Sequence, residues 1–181
     1  MLPEISLNIL DITQNSISAQ ATMIELLVAI DSKMEQLRFR IKDNGKGMSP
    51  EQVEHVTDPF YTTRTTRKVG LGVPFLKQAA QATGGTFSIE SEAGVGTVID
   101  TVFYMNHIDC MPLGDICSTI HTLVTMNQQV DFVFTYRVDE KDFVLDTRQM
   151  KEILGDVSFQ EPEISTFISA YLRENKTEVE K

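Results

Sequence analysis

The chain has 181 residues, of which 41% are hydrophobic and 23% are charged, and its formal net charge is −10. This composition is typical of a folded globular protein with one main core, and it gives no reason to expect long disordered regions. The negative charge argues against a general nucleic-acid binder, because phosphate backbones are bound by clustered lysines and arginines. No apolar run reaches the length of a membrane span and the N-terminus lacks a signal-peptide pattern, so we expect a cytoplasmic protein.

The first part of the chain predicts a helix followed by paired strands. Apolar residues recur at helical spacing over 4–19, and strand-like runs follow at 22–30 and 36–42. A helix at 73–83, ended by two glycines, leads to a strand pair within 86–104. These elements indicate an α+β sandwich, with a sheet of about four strands and helices on one face.

The second part of the chain repeats the alternation of helix and strand. We predict a helix at 113–127, strands at 130–138 and 143–146, and short helices at 148–154 and 163–174. We divide the chain into residues 1–105 and an extension, residues 106–181, which packs on the same body as a helix-hairpin-helix unit because no linker-like stretch separates them. The last residues, 175–181, are expected to be frayed.

Asp43 is the most informative single residue. The strand 36–42 alternates apolar and polar residues, and Asp43 continues the apolar, inward-facing set. A carboxylate in that position needs a hydrogen-bond donor, and an adenine amino group would supply one. The alternative is a strand-end aspartate that caps its own turn. Gly45 and Gly47 would let the backbone approach a flat ligand closely.

Asp11 and Asn15 stand four residues apart on the first helix, so their side chains are neighbours. Such a pair can share one divalent ion or one ordered water, and Asn15 suits direct coordination of Mg²⁺. The Asp11 carboxylate could accept the proton of an attacking water or hydroxyl, as a general base does in phosphoryl transfer. The alternative is a solvated polar face of the helix.

A possible anion site follows at the start of the next helix. Gly70, Leu71 and Gly72 open that helix directly after Arg67 and Lys68, and helix-terminal amides with basic side chains bind anions. The alternative is a tight turn before a helix.

Two other segments each allow a ligand-binding and a purely structural interpretation. The polar stretch 62–68 fits either a mobile loop that folds over phosphates or an ordinary loop. Thr97, at the end of a Gly-Val-Gly-Thr run, either contacts the base or belongs to a simple hairpin turn.

These segments, in this order, resemble the boxes of the GHKL superfamily, the Bergerat-fold ATPases and kinases that include histidine kinase catalytic domains, gyrase and MutL. The resemblance covers about residues 1–105. The matching segments are Asp11–Ala19 (N box), Asp43–Met48 (G1 box), Asp58–Thr63 (F box), Gly70–Val73 (G2 box) and Gly94–Thr97 (closing glycine-threonine motif).

The resemblance implies a two-layer α/β sandwich with a mixed, mostly antiparallel sheet and a site for ATP and Mg²⁺. It implies that Asn15 binds Mg²⁺, that Asp43 recognises adenine, and that Asp11 is the catalytic base of a protein kinase or ATPase. The ATP-binding residues that it implies are Asn15, Asp43, Gly45, Gly47, Met48, Phe60, Thr63, Arg67, Lys68, Gly70, Leu71, Gly72 and Thr97.

Departures from the family pattern bear on function. Asp11 stands where MutL carries the longer glutamate, and because only about ten residues precede it we expect no dimerisation helix pair with a phosphoacceptor histidine. The run HIDCMPLGDI at 107–116 resembles small bacterial ATP-binding proteins found beside iron-only hydrogenases, which implies that the extension docks a protein partner.

The sequence therefore leaves two functions open. The first is an enzyme that transfers or hydrolyses the γ-phosphate of ATP and acts on or regulates a protein partner in signal transduction. The second is a non-catalytic, nucleotide-gated regulatory module, either anti-sigma-like or an accessory protein of a redox complex. A homodimer also stays open.

Overall fold

The computed structural model describes residues 3–60 and 71–181. These residues form six helices and six strands. In chain order they are α1 (Ile5–Ser18), β1 (Met23–Asp31), β2 (Gln36–Asp43), α2 (Pro50–Val56), α3 (Gly72–Ala82), β3 (Thr86–Glu92), β4 (Gly96–Tyr104), α4 (Ile116–Met126), β5 (Asp131–Val138), β6 (Lys141–Asp146), α5 (Thr147–Leu154) and α6 (Pro162–Glu180).

All six strands belong to one sheet, in the order β3-β4-β2-β1-β5-β6. Neighbouring strands are antiparallel except β1 and β5, which run parallel from the Met23–Asp131 pair to the Ile30–Val138 pair. The two strands that follow residue 106 therefore extend the sheet that the first four strands begin.

One face of the sheet is buried and the other is exposed. In β1, Ile24, Leu26 and Val28 are buried while Glu25 between them is exposed, which is the period-two alternation of a half-buried strand. The buried side chains form one core with apolar residues of α1, α3, α4 and α6. The predicted α+β sandwich, a mixed and mostly antiparallel sheet with helices on one face, is confirmed.

Local sequence signals fix several helix starts. Ser49 caps α2 in a reciprocal capping box with Gln52, and Pro50 occupies the first turn, where its missing amide costs nothing. The Asp115 and Asp146 side chains cap α4 and α5 by accepting backbone amide hydrogens. The starts of α4 and α5 lie within three residues of the predicted starts at 113 and 148, and these caps account for that agreement.

The prediction that residues 175–181 are frayed is wrong, because α6 continues to Glu180. Val179 is buried, and the Tyr136 hydroxyl donates a 2.7 Å hydrogen bond to Oε1 of Glu180. Lys176 forms an ion pair with the same carboxylate at 2.7 Å. The last turn of α6 is therefore attached to β5 by contacts that sequence periodicity does not reveal.

The segment between β4 and α4 forms hydrogen bonds with the start of α1. The backbone amides of Ile5 and Ser6, at the start of α1, donate to the carbonyl oxygens of Pro112 and Leu113 at 3.0 and 2.8 Å. These bonds satisfy amides that have no partner within the helix. In the described part of the chain, every helix is too short or too polar to span a bilayer.

Candidate functional site

A cavity of about 200 Å³ lies between α1, the carboxyl end of β2 and the start of α3. Apolar side chains form most of its wall, and polar groups are concentrated where α1 meets the loop after β2. Its lining residues are Ile12, Asn15, Ser16, Ser18, Ala19, Ile41, Asp43, Lys46, Gly47, Met48, Val56, Val73, Ile89, Thr97 and Ile99.

Asp43 ends β2, where it is half-buried and paired across the sheet with Thr97. Its Oδ1 atom accepts the backbone amide of Gly45 at 2.8 Å, and its Oδ2 atom accepts the hydroxyl of Ser16 at 2.6 Å. The chain itself therefore supplies the donors that the sequence argument expected from an adenine. Each carboxylate oxygen keeps a further lone pair for a ligand in the cavity.

Ser16 is a site residue that the sequence analysis missed. It is buried on α1 and orients the Asp43 carboxylate. A signal was available, because Ser16 continues the apolar stripe of Ile5, Ile9 and Ile12 at helical spacing. A hydroxyl at a core position of an amphipathic helix needs a buried partner, and that requirement points toward a polar site.

Asp11 and Asn15 lie on α1 and are both half-buried. Within the described ranges, 3–60 and 71–181, neither side chain forms a hydrogen bond or an ion pair. Asn15 lines the cavity, whereas the Asp11 carboxylate packs against Gly72, where an added Cβ would overlap Oδ2. Burial raises the pKa of the Asp11 carboxyl above its usual value of 3.8.

Asn8, which the sequence places on the same polar face of α1 as Asp11 and Asn15, is buried away from the cavity. Its Nδ2 atom donates to the carbonyl oxygen of Glu4 at 2.8 Å and lies 4.0 Å from the sulfur of Met111. Asn8 therefore has a structural role, whereas Asp11 and Asn15 lie at the candidate site.

The two glycines after Asp43 have packing roles. A Cβ at Gly45 would lie 2.9 Å from the carbonyl oxygen of Ala19, which is closer than real Cβ contacts allow. Gly47 has a φ of +66°, and a Cβ there would overlap the carbonyl oxygen of Glu92. Both glycines thus bring this loop against the end of α1 and the β3–β4 turn, and Gly47 also lines the cavity.

Met48 and Thr97 both form a hydrogen bond with the hydroxyl of Ser91. The backbone amide of Met48 donates to Oγ of Ser91 at 2.8 Å, and the same Oγ lies 2.8 Å from Oγ1 of Thr97. Ser91 is a second residue that sequence reasoning missed. It links the end of the loop to β4, so that Met48 and Thr97 both line the cavity.

The remaining predicted ATP-binding residues do not line the cavity or lie outside the described residues. Phe60 is 91% exposed, and Leu71, the N-cap of α3, is 46% exposed and makes no side-chain capping bond. Gly72 is the first residue of α3. Thr63, Arg67, Lys68 and Gly70 lie outside the described residues, as does the predicted loop 62–68.

Residues 2–107 match the family model of the histidine kinase-, DNA gyrase B- and HSP90-like ATPases, which is more than half of the chain. The chain belongs to this family. It contains an ATP-binding, histidine kinase-like ATPase domain, and the predicted GHKL assignment is confirmed.

Several curated proteins that this chain resembles are sensor kinases. The chain is 31% identical to the CAI-1 autoinducer sensor kinase/phosphatase CqsS of Vibrio cholerae over 87 residues, and 29% identical to the sensor histidine kinase YvrG of Bacillus subtilis over 93 residues. These stretches are 48% and 49% of this chain but only 13% and 16% of the relatives. The ADP complex of the Aquifex aeolicus MutL ATPase domain shares the fold, with a TM-score of 0.52, 18% identity, and coverage of 85% of this chain and 70% of the other.

Proposed function

We propose that the chain binds ATP with Mg²⁺ and transfers or hydrolyses the γ-phosphate, acting on or regulating a protein partner in the cytoplasm. One observation carries the proposal. Asp43 and Asn15, from two distant segments, converge on one cavity with apolar walls. A half-buried carboxylate acceptor beside apolar side chains suits a flat base that carries an amino group.

The cavity accommodates the base portion of the nucleotide. Its volume of about 200 Å³ is below the roughly 300–1,000 Å³ typical of sites for whole ligands. Asp43 ends β2, Asn15 lies one helix turn from Asp11, and Asp11 contacts Gly72 at the start of α3. A nucleotide seated on Asp43 would therefore direct its phosphates toward Asn15 and the start of α3.

Asn15 is the candidate ligand for Mg²⁺. Its amide oxygen is the kind of hard ligand that Mg²⁺ prefers. No described residue forms a hydrogen bond with the Asn15 side chain, which lines the cavity. Mg²⁺, when bound, neutralises charge on the phosphates. The first amides of α3, at Leu71 and Gly72, have no side-chain cap and would face the anion, and we propose that Arg67 and Lys68 add positive charge there.

Asp11 is the candidate general base. In hydrolysis, a water oxygen would bond to the γ-phosphorus, the bond from the γ-phosphorus to the β–γ bridging oxygen would break, and ADP would leave with those electrons. The water proton would pass to Asp11. Because burial raises the pKa of the Asp11 carboxyl above its usual value, its carboxylate is a stronger base than that of an exposed aspartate.

A second function, nucleotide gating without turnover, is supported by a hydrogen-bond route into the extension. Nζ of Lys151 on α5 contacts Oδ1 of Asp131 at 2.6 Å, and the Asp131 amide donates to the carbonyl of Thr22 at 2.8 Å. The amides of Thr22 and Met23 donate to Oδ1 of Asn44, the residue after Asp43, at 2.9 and 3.0 Å. A change at the nucleotide loop could thus reach α5.

Titration calorimetry with ATP and Mg²⁺ tests nucleotide binding. We expect Asp43→Ala to weaken ATP affinity by about 10- to 100-fold, because a hydrogen bond to a charged group is removed. Asp100→Ala is the matched control, since Asp100 pairs with Arg38 on the exposed face of the sheet. Equal affinities for the two variants, with both folded, would disprove the proposed site.

A phosphate-release and transfer assay then separates the two functions. Asp11→Asn should retain ATP binding and lose turnover if Asp11 is the base. Turnover that is absent in the wild type, together with normal ATP binding, would instead support nucleotide gating.

A further inference from the structure

An uncompensated negative charge marks the junction of α5 and α6. Residues 152–172 contain four carboxylates and neither lysine nor arginine. The carboxylates are Glu152, Asp156, Glu161 and Glu163. Arg148 and Lys151, which lie just before this stretch, pair with Asp146 and Asp131 instead.

Apolar side chains are exposed in the same place. Val157 is 42% exposed and Phe167 is 61% exposed, and Ile164 is half-buried. A surface depression of about 690 Å³ is lined by Val157 and Ile164 together with Asp156, Glu161 and Glu163. Phe167 follows Ile164 by three residues on α6, so the two side chains lie on one face of the helix.

This surface is held in place by the core beneath it. Phe159, in the middle of the α5–α6 connection, is fully buried. The Phe159 amide donates to Oε1 of Gln128 at 2.7 Å, and Nε2 of Gln128 donates to the Val157 carbonyl at 3.0 Å. A surface fixed in this way loses little conformational entropy when a partner binds, which favours affinity.

We propose that Asp156, Val157, Glu161, Glu163, Ile164 and Phe167, the α5–α6 surface, bind a basic amphipathic helix of a partner protein. A depression lined by both carboxylates and apolar side chains complements a helix that carries lysine or arginine beside an apolar face. The surface is made of helix and loop residues, which favours a docked helix over an added strand, since strand addition needs a free sheet edge. The inference specifies the partner of the proposed function and rests on it for its physiological meaning.

The negative charge of the α5–α6 surface also favours one kind of binding partner over others. A second copy of the chain would place these carboxylates opposite an identical set, and like charges across an interface are repulsive. Nucleic acid is disfavoured for the same reason. A basic protein segment is the occupant that gains from both the apolar and the acidic side chains.

The test uses the full chain without nucleotide and a synthetic helical peptide of about 16 residues, with lysines on its polar face and leucines at positions i, i+3, i+4 and i+7. The control peptide has glutamate in place of lysine. We expect only the basic peptide to bind, with amide chemical-shift changes centred on residues 156–167. Affinity should fall several-fold as salt rises from about 50 to 300 mM.

Matched variants locate the contact. Glu161→Lys with Glu163→Lys should weaken peptide binding at least about tenfold, while Glu90→Lys with Glu92→Lys on β3, an equal change in net charge, should not. Phe167→Ser should likewise weaken binding, whereas Ile108→Ser, at a residue that is 94% exposed, should not.

Three outcomes would overturn the proposal. They are equal binding of the two peptides, shift changes outside residues 156–167, and a wild-type dimer in sedimentation that the Glu161/Glu163 variant abolishes. ATP affinity, measured on the same Glu161/Glu163 variant, should equal that of the wild type. A failed docking surface and a failed nucleotide site are therefore distinguishable.

Discussion

The basic side chains of the extension and the polar side chains of α1 at the candidate nucleotide site differ in their pairing. In the extension, every lysine and arginine except Lys141 forms an ion pair, and most of these pairs join two secondary-structure elements or cap one. At the site, Asp11 and Asn15 are half-buried and have no such partner among residues 3–60 and 71–181. Paired groups hold an element in position, whereas unpaired groups beside a cavity remain available to a ligand.

The contrast also separates two uses of a carboxylate. Asp115 caps α4, bonds to both the amide and the hydroxyl of Ser118, and pairs with Arg173 of α6. These donors hold the pKa of Asp115 at about 2. Burial raises the pKa of Asp11, whose carboxylate has no hydrogen-bond donor among residues 3–60 and 71–181. Asp115 is thus stabilised as a structural anion, whereas the environment of Asp11 favours its protonated form more than water does, as the proposed general-base role requires.

The largest effect is expected for Gly47→Ala, in the loop between Asp43 and α2. Alanine there meets the carbonyl oxygen of Glu92 and also adopts a left-handed backbone, at a φ of +66°. We expect a loss of roughly 2–4 kcal/mol in the free energy of unfolding, measured by urea denaturation. Gly94→Ala is the control, because its φ is +81° but a Cβ there meets nothing within 4 Å.

The control variant should lose only about 1 kcal/mol, the cost of a left-handed conformation without a clash. Equal losses for Gly47→Ala and Gly94→Ala would show that backbone conformation, rather than contact with Glu92, makes glycine necessary at position 47.

The next effect is expected for Gly72→Ala, at the contact between α3 and Asp11. The new methyl group would displace the Asp11 carboxylate, because a Cβ at Gly72 overlaps Oδ2. We expect turnover to fall by about 10- to 100-fold, while a favourable helix residue limits the loss of stability. Phosphate release under saturating ATP measures the change.

A double-mutant cycle tests whether this effect passes through Asp11. In an Asp11→Ala background, Gly72→Ala should have little further effect on turnover or stability, since the clashing carboxylate is absent. Additive losses would contradict the proposed contact.

Sequence predicted the fold because the signals for it are local. The apolar period of α1 and the alternation in β2 each follow from neighbouring residues, and both agree with the structure. The parallel pairing of β1 with β5 could not be predicted in this way. This pairing joins residues more than a hundred positions apart, and the sequence pattern of a strand does not show which other strand it pairs with.

Only part of the candidate site could be predicted from the sequence. The sequence nominated Asp43 and Asn15, which line the cavity, but it missed Ser16 and Ser91, whose hydroxyls complete the hydrogen bonds. Their roles depend on distances across the fold. The packing role of Gly45 and Gly47 was also hidden, because glycine in a loop suits a ligand and a close backbone contact equally well.

A smaller effect is expected for Asp115→Ala, which removes a paired carboxylate of the extension. Loss of the α4 cap should cost about 1 kcal/mol at neutral pH, measured by denaturation. The folded pKa of about 2 lies below the ordinary 3.8, so the stabilisation is present above the ordinary pKa and is lost as pH falls through about 2. The wild type and the variant should therefore converge in acid. A difference that is constant from neutral pH to about pH 2 would exclude the charge as its source.

The smallest effect is expected for Thr101→Val, in the buried face of β4. Thr101 Oγ1 is buried and has no hydrogen-bond partner among the described residues, so valine should leave stability unchanged or raise it by up to about 1 kcal/mol. Thr147, also fully buried, accepts the Phe132 amide at 2.8 Å. Thr147→Val should therefore cost about 1–3 kcal/mol, because it leaves that amide without a partner. If both substitutions cost the same, burial of the hydroxyl rather than its pairing would govern stability, and the contrast between paired and unpaired polar groups would fail in the core.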